Sequence, residues 1–276
     1  MRAETITSAQ NPKFKHLLLL QEKSKARREH GLFVVEGRRE LRHCLEAGYK
    51  VRTVFVCPEI ADSSEVMDLL RMTKQAACHS ERSEESSVME IPEALYRKAA
   101  YRESTEGIIA EVEYKTLGLN DLHLPDNPLV MVLESVEKPG NLGAVLRSAD
   151  AAKADAVFIC DPLTDLYNPN LIRASIGAIF TVPTVAVSSE EAIAFLQAHD
   201  IQILTAQLQD SSLYYDVDMK RGTALVMGTE STGLTPLWRQ AATAHIRIPM
   251  LGKLDSLNVS VSAAILLFEA VRQRQG

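Results

Sequence analysis

Apolar and polar positions change rhythm along this chain, and the rhythm predicts elements. Phe14, Leu17, Leu18 and Leu20 form an apolar stripe at helical spacing. Asn11 and Pro12 stand before it, a cap and a first-position proline, so a helix is predicted within residues 8–30. Lys23, Lys25, Arg27 and Arg28 crowd its end, where cations suit the helix dipole. An apolar run over 32–35 reads as a strand ending at Glu36-Gly37, and 38–47 returns to helix, stopped by Gly48. Strands over 51–57 and 108–114 and a helix over 65–77 complete a small alternating α/β unit.

Two polar stretches interrupt the pattern. No apolar side chain occurs between Cys78 and Val88, so 78–87 reads as an exposed polar insertion. Residues 117–126 carry Gly118, Pro125 and Asp126 and read as an interdomain linker. This divides the chain into a first domain at 1–116 and a second at 127–276. The second opens on the continuous apolar run 129–133, suited to a strand buried on both faces. Helices are predicted over 141–152, 171–178, 189–198 and 259–272. Strands are predicted over 156–159, 182–187, 201–204, 224–227 and 244–248. Such alternation means a mostly parallel α/β sheet.

Composition narrows the class. Of 276 residues, 46% are apolar and 24% charged, the balance of an ordinary globular protein. No run approaches the ~18 apolar residues of a membrane helix, and the four-residue run Leu17 to Leu20 is too short for a signal peptide. A cytoplasmic protein is expected. The cysteines Cys44, Cys57, Cys78 and Cys160 have no CxxC spacing, so reduced thiols are expected rather than a zinc ribbon or a redox pair. The net charge of −6 is uneven: residues 1–52 hold 12 Lys and Arg against 6 Asp and Glu, while the rest is acidic. A basic front on an acidic body is either a footprint for a phosphate backbone or a solvated helix face. Lys23, Lys25, Arg27, Arg28 and Arg38 are its candidate RNA contacts.

Several chemistries lack their residues. There is no GxGxxG, which removes the usual dinucleotide site. Gly228 to Gly233 has P-loop glycine spacing, but Leu234-Thr235 stands where Lys-Ser would, and Glu230 would repel a triphosphate. The seven histidines form no HExxH or HxH, so no metal is expected, and no GxSxG elbow anchors a hydrolase triad.

Three segments remain. The first is Pro139-Gly-Asn-Leu-Gly-Ala-Val-Leu-Arg147, in which Asn141 can cap a helix and Arg147 can project towards the C-terminal edge of the sheet, where α/β ligands bind. The second, 225–234, runs a strand into a Gly-bounded turn with Glu230 at its tip. The third joins Ile246-Arg-Ile-Pro-Met-Leu-Gly252 to Asp255-Ser-Leu-Asn-Val-Ser-Val-Ser262, where Ser256 or Asn258 can cap the last helix. Each alone also reads as ordinary helix capping.

Together, in this order and at these separations, the three resemble the SpoU (TrmH) branch of the SPOUT RNA methyltransferases over about residues 127–276. Asn11-Pro12, the basic helix and Phe33-Val-Val-Glu36-Gly37 resemble that family's substrate-binding domain. The resemblance implies an α/β fold with an L30e-like N-terminal domain and a C-terminal SPOUT domain containing a trefoil knot. It implies a homodimer that transfers a methyl group from S-adenosylmethionine to a ribose 2′-hydroxyl of RNA, ribosomal or transfer, with no metal and no membrane.

For the site, the resemblance implies Asn141, Arg147, Glu230, Ser256 and Asn258 as catalytic residues. Gly228, Ile248 and Leu257 would contact the cofactor, with Met227, Thr229 and Met250 nearby. A ribose hydroxyl is a very weak acid, and a guanidinium stays protonated, so Arg147 is not an ordinary base. It is expected to stabilise the developing alkoxide or anchor the adjacent phosphate, with proton loss assisted by phosphate or water. Asn141 is expected to orient Arg147 or the ribose, Glu230 to brace the site, and Ser256 and Asn258 to position ribose and cofactor. Two departures from the family pattern stand out: Lys138 replaces the usual Asp, and Lys153 stands where Gly is common. Two other classes are an RNA-binding assembly factor without activity and a base methyltransferase; the complete residue set speaks against the first and the first motif against the second.

Overall fold

The computed structural model describes residues 4–62, 64, 66, 87–101, 106–229 and 231–275. Glu230 and nearly all of the predicted 65–77 helix and polar tract lie outside the described residues. The chain forms two compact units, one of Met1–Lys115 with Tyr167–Phe180, the other of Thr116–Leu166 with Thr181–Gly276.

In chain order the first unit carries β1 (Glu4–Thr5), α1 (Pro12–Glu22), α2 (Ser24–His30), β2 (Leu32–Glu36), α3 (Arg38–Glu46), β3 (Val51–Val56), β4 (Ser87–Glu90), α4 (Glu93–Ala99) and β5 (Ile108–Glu113). Its five strands are ordered β1-β4-β3-β5-β2, parallel up to β3 and antiparallel across β5. The core joins Phe14, Leu17 and Leu20 of α1 to Phe55, Ile109 and Tyr96.

The single helix predicted within 8–30 is two. Lys23 is extended (φ −112°, ψ 109°), and the break is held by Arg27. That side chain is only 2% exposed. Its guanidinium donates to Leu20 O (2.7 Å) and Gln21 O (3.1 Å), carbonyls left without partners where α1 ends. From the middle of the chain, Tyr167 joins this unit: its ring stacks on Phe33 at 4.1 Å.

The second unit carries β6 (Leu129–Glu134), α5 (Pro139–Ala151) and β7 (Ala156–Cys160). Helix α6 (Pro169–Ser175) belongs to the first unit, and α7 (Ala178–Thr181) bridges the division in sequence. Then follow β8 (Thr184–Val187), α8 (Ser189–Ala198), β9 (Gln202–Ala206), β10 (Ser212–Leu213), β11 (Thr223–Met227), α9 (Pro236–Ala241), β12 (Ala244–Arg247) and α10 (Val259–Gln275). The seven strands are ordered β10-β12-β9-β11-β6-β7-β8, and every neighbouring pair is parallel. All their C-terminal ends therefore share one edge. The inner strands β6, β7 and β11 are buried along their whole length, as runs covered on both faces must be.

After β12 the chain returns across the sheet, so that α10 packs on α5 and touches β11 and β6. Arg274 near its end donates to Asn127 O (2.8 Å) and Pro128 O (3.1 Å), just before β6. The residues read as a linker are not free of the body: Leu117, Leu119, Leu122 and Leu124 pack against the core of this unit. Cys44, Cys57 and Cys160 are buried free thiols, and burial pushes the pKa of each upward.

Candidate active site

The first and third motifs meet at the C-terminal edge of the sheet. Helix α5 opens on Pro139, so Asn141 is its third residue and not its cap. Its side chain turns instead to the other motif: Asn258 Nδ2 donates to Asn141 Oδ1 at 3.2 Å. Asn258 is itself the cap of α10, its Oδ1 accepting from Ser260 N (3.0 Å) and Ser260 Oγ (2.6 Å). Two helix starts far apart in sequence are thus tied by one amide pair, which the packing of α10 on α5 allows.

Arg147 lies on α5, about 9 Å further along the axis. It is exposed, and no side chain among the described residues hydrogen-bonds it. Ser256 is exposed too, and its hydroxyl donates to the neighbouring Asp255 (3.3 Å) rather than to either asparagine. Glu230 lies outside the described residues.

The second motif is a narrow closed loop. Met227 ends β11 at 6% exposure. A Cβ on Gly228 would fall 2.3 Å from the backbone C and O of Gly233. Thr229 and Gly233 form an antiparallel bridge, and Gly233 has φ +69°. Thr229 Oγ1 lies 2.8 Å from Thr232 Oγ1 and accepts from Thr232 N (3.1 Å). Gly228 is therefore glycine because its own loop folds back onto it, a reason local to the backbone that a motif alone does not disclose.

A shallow concavity of about 420 Å³ opens between the chain after β9 and the chain after β12, lined by residues of the third motif and not by the 228–234 loop. Leu208 and Leu213 stand on one side and Ile248, Pro249 and Met250 on the other, with Arg247, Lys253 and Asp255 among the lining groups. Because β9 lies between β12 and β11 in the sheet, the second and third motifs flank one strand end. Just before Leu208, Gln207 Nε2 donates to Gln209 O (2.9 Å), while Gln207 Oε1 is buried with no hydrogen-bond partner. The volume and apolar walls suit a nucleoside-sized ligand. Asp255 offers a partner to the positive groups of such a ligand and Arg247 to a carboxylate. S-adenosylmethionine, an adenosine with a sulfonium, an amine and a carboxylate, fits this donor set.

Of the sequence-predicted cofactor residues, Ile248 and Met250 line this concavity. Met227, Gly228 and Thr229 stand at the adjacent strand end, and Leu257, 41% exposed, lies on the chain leading to α10. Leu208, Leu213 and Arg247 were missed as site residues. Leu213 ends the two-residue strand β10 and Leu208 lies just before it, a stretch with no periodic pattern, and the parallel pairing of β10 with β12 sets Leu213 opposite Arg247.

The basic front divides. Lys23, Lys25 and Arg28 are exposed; Lys25 lies 3.7 Å from Glu29, and Arg28 donates to Ser24 Oγ (2.9 Å). Arg38 opens α3 and, with Arg39 and Arg42, lines a shallow concavity in which Glu106 accepts from the Arg38 backbone N–H. Arg27 does not belong with them. It is buried, and its guanidinium serves the carbonyls at the end of α1, so it is corrected from an RNA contact to a structural cation. Among the described residues no helix is long and apolar enough to cross a membrane, and no three His, Cys, Asp or Glu side chains form a metal-binding group.

A small mixed α/β unit, followed by a parallel sheet whose last helix returns to the middle and whose loops converge on a nucleoside-sized concavity, defines a class of two-part nucleoside-cofactor enzyme. The chain belongs to the SpoU rRNA Methylase family, which matches residues 128–268, and residues 11–110 match the MRM3-like substrate binding domain. It is 29% identical to the 23S rRNA (uridine(2479)-2′-O)-methyltransferase of Streptomyces viridochromogenes over 99% of this chain and 93% of that protein. A crystal structure of an RNA 2′-O ribose methyltransferase superposes with a TM-score of 0.81 at 36% identity, covering 99% of this chain and 100% of the other. The AdoMet-bound rRNA methyltransferase of Sinorhizobium meliloti gives a TM-score of 0.86 at 28% identity, covering 98% of each.

Proposed function

We infer that this chain methylates a ribose 2′-hydroxyl of ribosomal RNA, with S-adenosylmethionine as methyl donor. The observation that carries this is the bond between Asn141 and Asn258, which joins the first motif to the third, whose residues from Arg247 to Asp255 also line the nucleoside-sized concavity. The donor, when bound, supplies the methyl group on its sulfonium. The chain supplies position and charge. Arg147, solvent-facing and free of a described ion partner, holds a phosphate or the developing alkoxide of the target ribose. Asn141 and Asn258 fix the two helix starts against which ribose and cofactor are oriented. Ser256 and Glu230 complete the catalytic set. Lys23, Lys25, Arg28 and Arg38 meet RNA phosphates.

The same reading extends to a first domain at 1–116, a linker at 117–126 and a methyltransferase domain at 127–276. It also extends to a knotted path, supported by the return of α10 to α5, to a cytoplasmic enzyme, and to a homodimer through the second unit. The test is methyl transfer from labelled S-adenosylmethionine to 23S rRNA, followed by mapping of the 2′-O-methyl position. Label in a ribose of 23S rRNA is expected. Label only in transfer RNA, or in a base, would overturn the substrate or the reaction class respectively.

A further inference from the structure

Glu134 ends β6 in the interior of the sheet and is 2% exposed. Both of its oxygens are used by one residue: Oε2 accepts from Thr235 N (2.9 Å) and Oε1 from Thr235 Oγ1 (2.6 Å). Among the described residues no cation pairs with it. A carboxylate buried this far costs free energy unless its acceptors are well matched, so its retention asks for a reason. Thr235 precedes α9 and ends the loop that begins at Gly228. The start of that loop is set by β11, whose Met227 is in register with Leu133 of β6. Its end is set by Glu134. One turn further, Trp238 Nε1 donates to Ser189 Oγ (2.8 Å), which lies 2.5 Å from Asp161 at the end of β7. The loop is therefore short, self-contacting at Gly228 and Gly233, and fastened at its far end by a buried carboxylate.

We propose that Glu134 is a positioning residue for the cofactor: it clamps Thr235 and so fixes the far end of the loop whose first residues, Gly228 and Thr229, are the expected contacts of S-adenosylmethionine. This rests on the methyltransferase reading above. A carboxylate suits the task because it offers two acceptors in one plane to an N–H and an O–H of the same residue. Glutamine offers one acceptor and turns an NH2 towards a donor. Threonine 235 is itself exposed, so its hydroxyl can be removed without opening the core.

The experiment uses the full-length chain with E134Q, T235A and the double variant. Cofactor affinity is read by calorimetry, RNA affinity by filter binding at fixed salt, and stability by thermal melting. Loss of one charge-assisted bond predicts about a tenfold weaker binding of S-adenosylmethionine in each single variant. The double variant is expected to be no worse than the weaker single, because both act through one contact, and RNA affinity is expected to stay within about twofold. Wild-type cofactor affinity in a folded T235A and E134Q would overturn the proposal. So would RNA and cofactor affinity falling together with the melting temperature, which would make the bond merely structural. Failure of the methyltransferase reading looks different: the wild-type chain itself would then not bind S-adenosylmethionine, and the proposal would fall with it.

Discussion

Lys153 sits just past the end of α5 with φ +53°, left-handed backbone that a residue with a Cβ adopts at a cost of about 1 kcal/mol. The bond from Ala154 N to Ala149 O (2.8 Å) closes the helix around it. This accounts for the glycine common at that position in the family. Lys153→Gly should therefore raise stability by about 0.5–1 kcal/mol, or about 1–4 °C in melting temperature, with methyl transfer unchanged. At Gly228 the sign reverses. Even alanine there meets the Gly233 backbone, so Gly228→Ala should weaken cofactor binding through loop distortion while far-ultraviolet circular dichroism stays native. Arg147→Ala is expected to remove methyl transfer and leave S-adenosylmethionine affinity within about twofold, because the side chain faces solvent rather than the concavity. Retention of most of the activity would remove Arg147 from the mechanism. These three residues were visible as motif positions or as departures from one. The backbone reason at Gly228 was not, because it depends on how its loop closes five residues on.

Elements were legible where periodicity was strong and opaque where a single side chain decided the outcome. The strand at 129–133 and the helix at 189–198 stand where their patterns place them, the latter opened by a reciprocal cap between Ser188 and Glu191. The break at Lys23 carries no periodic signal. It follows from a cation that counts as surface charge in sequence but turns inward to two carbonyls. Strand β4 and helix α4 were unread because the polar tract ahead of them offers no rhythm, and they are only four and seven residues long. The corrected role of Arg27 separates two variants. Arg27→Met should cost about 1–3 kcal/mol of stability, since it leaves buried carbonyls unpaired, and should leave the salt dependence of RNA binding unchanged. Neutralising Lys23, Lys25 and Arg28 together should do the opposite: stability holds, RNA affinity drops, and the slope of log affinity against log salt flattens by up to about 2–3 units. Filter binding across salt concentrations with parallel melts reads both. An unchanged slope in the triple variant would mark this face as merely solvated.

At the scale of the whole molecule, alternation of strands and helices was enough for a parallel sheet, but strand order was not readable. Nothing in the spacing of Asn141 and Asn258 says that they touch; that follows from α10 returning over β11 and β6 to reach α5. The same path leaves an apolar surface uncovered. Leu251 is 96% and Leu254 80% exposed on the chain after β12, and Val261 and Phe268 on α10 are each nearly half exposed. Val261 and Phe268 are seven residues apart, two helical turns on one face, while Leu266, Leu267 and Ala270 of the same helix are buried against the sheet. Exposed apolar side chains opposite a buried helix face offer an interaction surface. A second copy of this chain is the occupant the homodimer reading requires. Phe268→Glu with Val261→Ser should then give a folded monomer by analytical ultracentrifugation where the unaltered chain is expected to sediment as a dimer. Cofactor affinity should fall with dimer dissociation if the partner's face shields the 248–258 chain, so a dilution series of the unaltered protein should reproduce the loss. A chain that is monomeric at micromolar concentration before any substitution would refute the dimer and leave this face to another partner.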